Sequence, residues 1–156
     1  MRILSLLTQD MVLLEIKSRK RDEVLKEMVD FLKQKEKIAK EKELYEKLIQ
    51  REELGSTAIG DGVAIPHCKM KGIKDPVVIL AVSKRGVEFH SLDGSPTFVF
   101  FLVVSSPDNP SLNLQILAAI AHLVRKANSF LKKIMEAKSI SDILDIIKEE
   151  EEKINE

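Results

Sequence analysis

The sequence predicts a single α/β domain built on a mixed sheet, and three observations predict it. Segments with helical spacing alternate with short apolar runs. Two of those runs, residues 77–82 and 97–104, are apolar enough to be strands covered on both faces. No repeat, linker or low-complexity stretch divides the 156 residues, of which 44% are apolar, enough for one ordinary core.

Taken in order, residues 11–16 are a short β-prone run, and Ser18 follows as a candidate N-cap. The helix it would open carries Val24, Leu25, Met28, Phe31 and Leu32 at helical spacing. A second helix is predicted over residues 42–54 with Leu44, Leu48 and Ile49 inward, stopped by Gly55 as a left-handed C-terminal cap. Arg51 falls in its last turn. Between the two apolar runs, Gly86-Val87-Glu88-Phe89 reads as a short separate strand and Asp93-Gly94-Ser95-Pro96 as a turn.

Asn109 and Pro110 then read as the N-cap and first position of a long helix carrying Leu114, Leu117, Ile120 and Ala121. Its free N–H groups suit an anion. Residues 129–136 suggest another helix, and Ser139 with Asp142 resembles a capping box opening a last one, with Ile143, Leu144 and Ile147 inward. The acidic end, Glu149 to Glu152, is expected to be a solvated or frayed tail.

Charge and hydropathy exclude several function classes. The 25 basic and 25 acidic residues cancel, leaving no global field to hold nucleic acid or an anionic membrane surface. The longest strongly apolar run, residues 98–104, falls far short of the roughly 20 residues that a membrane span needs. The first ten residues lack the apolar core and cleavage site of a secretory signal, so a cytoplasmic location without membrane insertion is expected. The single cysteine, Cys68, cannot form an internal disulfide, which agrees with a reducing compartment.

The segment from Gly55 to His67 carries the chemistry. Gly55, Gly60 and Gly62 permit positive φ, Ser56 and Thr57 offer short hydroxyls, and Pro66 pushes Ile65 into extended geometry. Such a segment holds its terminal imidazole firmly. Arg51-Glu52-Glu53-Leu54-Gly55-Ser56-Thr57 followed by Ile59-Gly60-Asp61-Gly62-Val63-Ala64-Ile65-Pro66-His67 resembles the signature of phosphotransferase-system enzyme IIA domains of the mannitol/fructose class.

That resemblance covers nearly the whole chain, residues 1–156 as one domain, and implies a three-layer α/β sandwich with helices on both faces of a mixed sheet. It further implies a phosphoryl carrier and phosphotransferase component with a phosphohistidine intermediate on Nε2 of His67. The donor would be HPr, the energy would come ultimately from phosphoenolpyruvate, and the acceptor would be a IIB domain of fructose or mannitol type. No cofactor or metal is called for. A second reading within the same family is a regulatory protein whose His67 phosphorylation state controls binding to partner proteins.

Phosphoryl transfer to a neutral imidazole is mostly alignment and charge stabilisation, so a guanidinium and short hydroxyls are the expected supporting groups. Arg51, Ser56 and Thr57 are the candidates, against the simpler readings of a helix-terminal cation and ordinary turn residues. The resemblance implies a second histidine near the start of the long helix. Asn113 stands in its place, able to donate a neutral hydrogen bond but unable to become cationic. A poorly transferring member of the family is therefore a third possibility.

The remaining candidates are weaker. His122 lies nine helical residues beyond Asn113 and should face away from it, and His90 reads as exposed or locally bonded. Cys68 should point to the opposite face from His67 and stay neutral. His67, Cys68, His90 and His122 match no familiar zinc spacing. The lysines at 69, 71 and 74 suit either an acidic partner or a solvated loop.

Overall fold

The computed structural model describes residues 1–127 and 129–155. Its centre is the antiparallel pair of long apolar strands β5 and β6. In chain order the strands are β1 (Val12–Leu13), β2 (Ala58–Gly60), β3 (Val63–Ala64), β4 (His67–Lys69), β5 (Val77–Val87) and β6 (Thr97–Ser105). The sheet order is β1-β5-β6-β3-β2, with β4 also paired to β6. β1 runs parallel to β5, and both β3 and β4 run parallel to β6, so the sheet is mixed as predicted.

Consecutive side chains along β5 and β6, including Ile79, Leu80, Phe100 and Phe101, are fully buried, as strands covered on both faces must be. The helices are α1 (Arg21–Gln34), α2 (Glu41–Glu53), α3 (Pro110–Lys126), α4 (Phe130–Glu136) and α5 (Ile140–Ile154). α1 packs on β5 and α2, and α2 also on β4, while α3 and α4 pack on β6 and α5 packs against both of them. Phe101 stacks on Phe130 of α4 at 6.2 Å, and its neighbour Phe100, on the other face, meets Phe89 edge-on at 5.0 Å. The three-layer sandwich with helices on both faces is therefore present.

Several local expectations are corrected. In residues 11–16 only Val12–Leu13 forms a strand, after a short 3₁₀ turn at Gln9–Met11. Ser18 does not cap α1, which starts after Lys20; its N–H and hydroxyl both donate to Glu27, at 3.0 and 2.8 Å. Glu27 reaches back from within the helix and accepts both. Gly55 ends α2 with φ of +148°, a positive φ outside the left-handed helical well.

Residues 86–89 are not a separate strand, because β5 continues to Val87 across a register shift after Val82. Gly86 makes this possible with φ of +87°, and a Cβ there would lie 2.9 Å from the Phe98 ring. Asn109 caps α3 as predicted, accepting from Leu112 N–H at 3.2 Å. The inward face of α3 is Asn113, Ile116, Ile120, Leu123 and Val124, and Leu114 is 66% exposed.

The acidic end is not a frayed tail. α5 runs through it to Ile154, and Glu150 and Glu151 are buried. Glu151 accepts the backbone N–H groups of Ile3 and Leu4 at 2.7 and 3.0 Å, satisfying the start of a 3₁₀ turn that has no other acceptors there. Ser139 accepts from Asp142 N–H at 3.0 Å, as the capping reading requires.

Candidate functional site

The glycine-rich segment becomes three short strands. Phe98 and Val99 N–H both donate to Gly62 O, and Val103 N–H donates to Pro66 O at 2.9 Å, so β6 is the template on which β3 and β4 are laid. This register sets His67 opposite Val103 and Lys69 opposite Ser105. His67 Nδ1 lies 2.7 Å from Ile65 O. A carbonyl accepts only, so Nδ1 carries the proton and Nε2 keeps the lone pair.

His67 is half-buried on the wall of a cleft of about 660 Å³. The cleft runs along the open edge of β4: α2 supplies Lys47, Gln50, Arg51 and Leu54, and the first turns of α3 supply Asn113, Leu114 and Leu117. Cys68 and Lys69 border it beside His67. Because the cleft follows a strand edge, both His67 and Cys68 border it although consecutive residues of β4 leave opposite faces. Burial pushes the Cys68 thiol up to about 12, partly countered by Lys47, and it stays a neutral group.

Arg51 is in the cleft wall, with Nη1 donating to Gly55 O at 2.9 Å. Arg51 closes the carbonyl end of α2 through this bond and borders the same cleft as His67. Ser56 and Thr57 are placed elsewhere. Ser56 Oγ donates to Phe89 O at 2.7 Å, and Thr57 Oγ1 donates to the buried Glu52 at 2.6 Å. Neither borders the cleft, and both hydroxyl protons are already given to protein acceptors.

Asn113 is 7% exposed and faces the cleft. Ser105 Oγ donates to Asn113 Oδ1 at 2.8 Å, which directs the amide NH2 away from the strand. Among the described residues no buried side-chain nitrogen or oxygen lacks a partner, so that NH2 group is one the solvent in the cleft can reach. Sequence reading missed Ser105 and Glu52 because both are ordinary polar residues whose partners lie in other elements or turns.

The other histidines are apart. His122 borders a different pocket with Lys126, Lys133 and Glu150, and the exposed His90 has its Nδ1 3.4 Å from Arg21 Nη1. Among the described residues no group of three or more His, Cys, Asp or Glu is placed to hold a metal ion. None of the described helices is long and apolar enough to cross a membrane.

A family model described as "Phosphoenolpyruvate-dependent sugar phosphotransferase system, EIIA 2" matches residues 5–150. The chain belongs to this family. Across 94% of its length, this EIIA chain is 33% identical to the PTS system fructose-specific EIIABC component of Bacillus subtilis, of which it spans 23%. Across 54% of its length it is 40% identical to a nitrogen regulatory protein of Bradyrhizobium diazoefficiens, spanning 56% of that protein. The chain thus covers from under a quarter to little more than half of these relatives. The EIIA fold itself is matched by the nitrogen regulatory protein IIA-Ntr of Neisseria meningitidis, with a TM-score of 0.84, 24% identity, and 93% and 98% of the two chains covered.

Proposed function

We propose that this EIIA domain is a phosphoryl carrier that accepts phosphate from HPr on Nε2 of His67 and passes it to a IIB domain of fructose or mannitol type. The observation that carries this reading is the imidazole on the cleft wall with Nδ1 committed to Ile65 O. In the accepting step the Nε2 lone pair forms a bond to phosphorus as the P–N bond of the donor's phosphohistidine breaks, and that electron pair returns to the donor imidazole. His67 keeps its Nδ1 proton throughout. In the forward step the new P–N bond breaks as the IIB nucleophile attacks.

Arg51 and the NH2 of Asn113 are the groups that hold the phosphoryl oxygens, one cationic and one neutral. Ser56 and Thr57 act on the scaffold instead, through the bonds to Phe89 and Glu52. The name of the Bacillus relative joins A, B and C components in one protein, which supports a IIB acceptor here. Work between HPr and IIB places the protein in the cytoplasm.

The test is intact mass after incubation with phosphoenolpyruvate, enzyme I and HPr, with wild type compared to His67→Ala. One acid-labile phosphate absent from the variant is expected; label that persists in the variant moves the acceptor elsewhere. The similarity to nitrogen regulatory proteins favours a second reading, in which phosphorylation of the same histidine switches a binding partner. That reading requires a partner whose affinity differs between the two states and no transfer to any IIB.

A further inference from the structure

The Glu52 carboxylate is 3% exposed in a molecule that otherwise keeps most of its acids in water. A charge at that depth is costly unless several donors meet it. Two do: Thr57 N–H at 2.9 Å and Thr57 Oγ1 at 2.6 Å, each to a different carboxylate oxygen. Thr57 O in turn accepts from Ile65 N–H at 3.0 Å, and Ile65 O accepts from His67 Nδ1 at 2.7 Å. A continuous line of hydrogen bonds therefore joins the last turn of α2 to the imidazole. All four residues of the line lie within residues 52–67.

We propose that Glu52 is a positioning residue for His67, acting through Thr57 and Ile65 to hold the imidazole in its Nδ1–H tautomer with Nε2 directed into the cleft. The carboxylate holds Thr57 by its backbone N–H and by its hydroxyl. The fixed Thr57 carbonyl sets Ile65, and Ile65 O is then in place to take the Nδ1 proton. A free imidazole favours the opposite tautomer, with the proton on Nε2, where no lone pair remains for phosphorus. The line of bonds works against that preference. This rests on the phosphoryl-acceptor reading only for its consequence; the tautomer is a property of the resting protein.

The experiment compares wild type with Glu52→Gln, Thr57→Val and Thr57→Ser. Ring ¹⁵N NMR of His67 reads the tautomer, and HPr-dependent phosphorylation reads kcat and KM. We expect the neutral wild-type ring to be mainly Nδ1–H. Thr57→Val and Glu52→Gln should shift it toward a mixture and lower kcat about tenfold at unchanged KM, and Thr57→Ser, which keeps the hydroxyl, should restore both. A folded Glu52→Gln and Thr57→Val pair with wild-type tautomer overturns the proposal. A tautomer shift in both variants together with a wild type that takes no phosphate overturns the acceptor reading and supports the positioning role.

Discussion

His67 shows how much a single residue depends on its immediate neighbours. Pro66 and Ile65 are buried in extended chain, the Ile65 carbonyl is turned back onto Nδ1, and the nitrogen left over is the nucleophilic one. Asn113 stands where the sequence resemblance implies a second histidine. Its amide gives a neutral hydrogen bond where a cation would give a charge-assisted one, roughly twice as strong. We expect Asn113→His to speed His67 phosphorylation about tenfold, the equivalent of about 1.4 kcal/mol in the barrier. Rapid-quench phosphorylation kinetics check this, and an unchanged rate shows that the amide does not limit transfer.

Glu52 also makes a prediction about pH. Burial is the largest influence on it and raises its carboxyl above the usual range, while the Thr57 donors, Arg51 and His67 act in the opposite direction. A native state that binds the proton more tightly than the unfolded chain loses stability as pH rises between the two values. The loss begins near the ordinary glutamate value of about 4.3 and continues up to the raised native one. Glu52→Gln removes this titration. Its melting temperature relative to wild type should therefore rise from pH 4 to pH 7 in calorimetry; a relative fall contradicts the sign.

At the scale of elements, the C-terminal helix does more than cover the sheet. Glu151 gathers the first backbone donors of the chain, so α5 and the N-terminal turn form one structural unit. Glu151→Ala leaves two buried or half-buried N–H groups without acceptors. It should destabilise the protein by about 3 kcal/mol, read by urea unfolding, with faster hydrogen exchange at Ile3 and Leu4. A sequence pattern of consecutive glutamates looks like a solvated tail because nothing in it names the distant donors.

Elements with strong periodic patterns were legible without coordinates. α1, α2 and the two long strands follow their apolar spacing, and the Asn109-Pro110 start of α3 follows from cap chemistry alone, although of its predicted apolar residues only Ile120 is buried. β2, β3 and β4 were not legible as strands. They are only two or three residues long; β3 and β4 exist because β6 offers its edge, and β2 is added on β3. Gly86 belongs with them: it lets β5 continue through a bulge where the sequence suggested a break.

At the scale of the whole molecule, the cleft exists because α2 and α3, helices from opposite halves of the chain, stand on either side of one open strand edge. Two large apolar side chains lie exposed on its walls, Leu54 at 85% and Leu114 at 66%. Under the carrier reading these are the surfaces a protein donor or acceptor covers. Leu54→Glu and Leu114→Glu should each raise the KM for HPr about tenfold, because covering a leucine is worth about 1.5–3 kcal/mol. Both should leave thermal unfolding unchanged. An unaltered KM in both variants removes this face from the docking surface.

The sequence by itself determined the α/β class, the order of the long elements, the candidate acceptor His67 and the family resemblance, because periodicity, caps and a contiguous signature are local properties. Only the tertiary structure decided which polar groups border the cleft. Arg51 and Asn113 border the cleft with His67, whereas Ser56 and Thr57 spend their hydroxyls on Phe89 and Glu52. Ser105 orients Asn113, and Glu52 and Glu151 are buried acids with specific partners. Those assignments depend on which donors and acceptors the packed sheet and helices bring within hydrogen-bonding distance, and a linear pattern of residue types does not carry distances between segments.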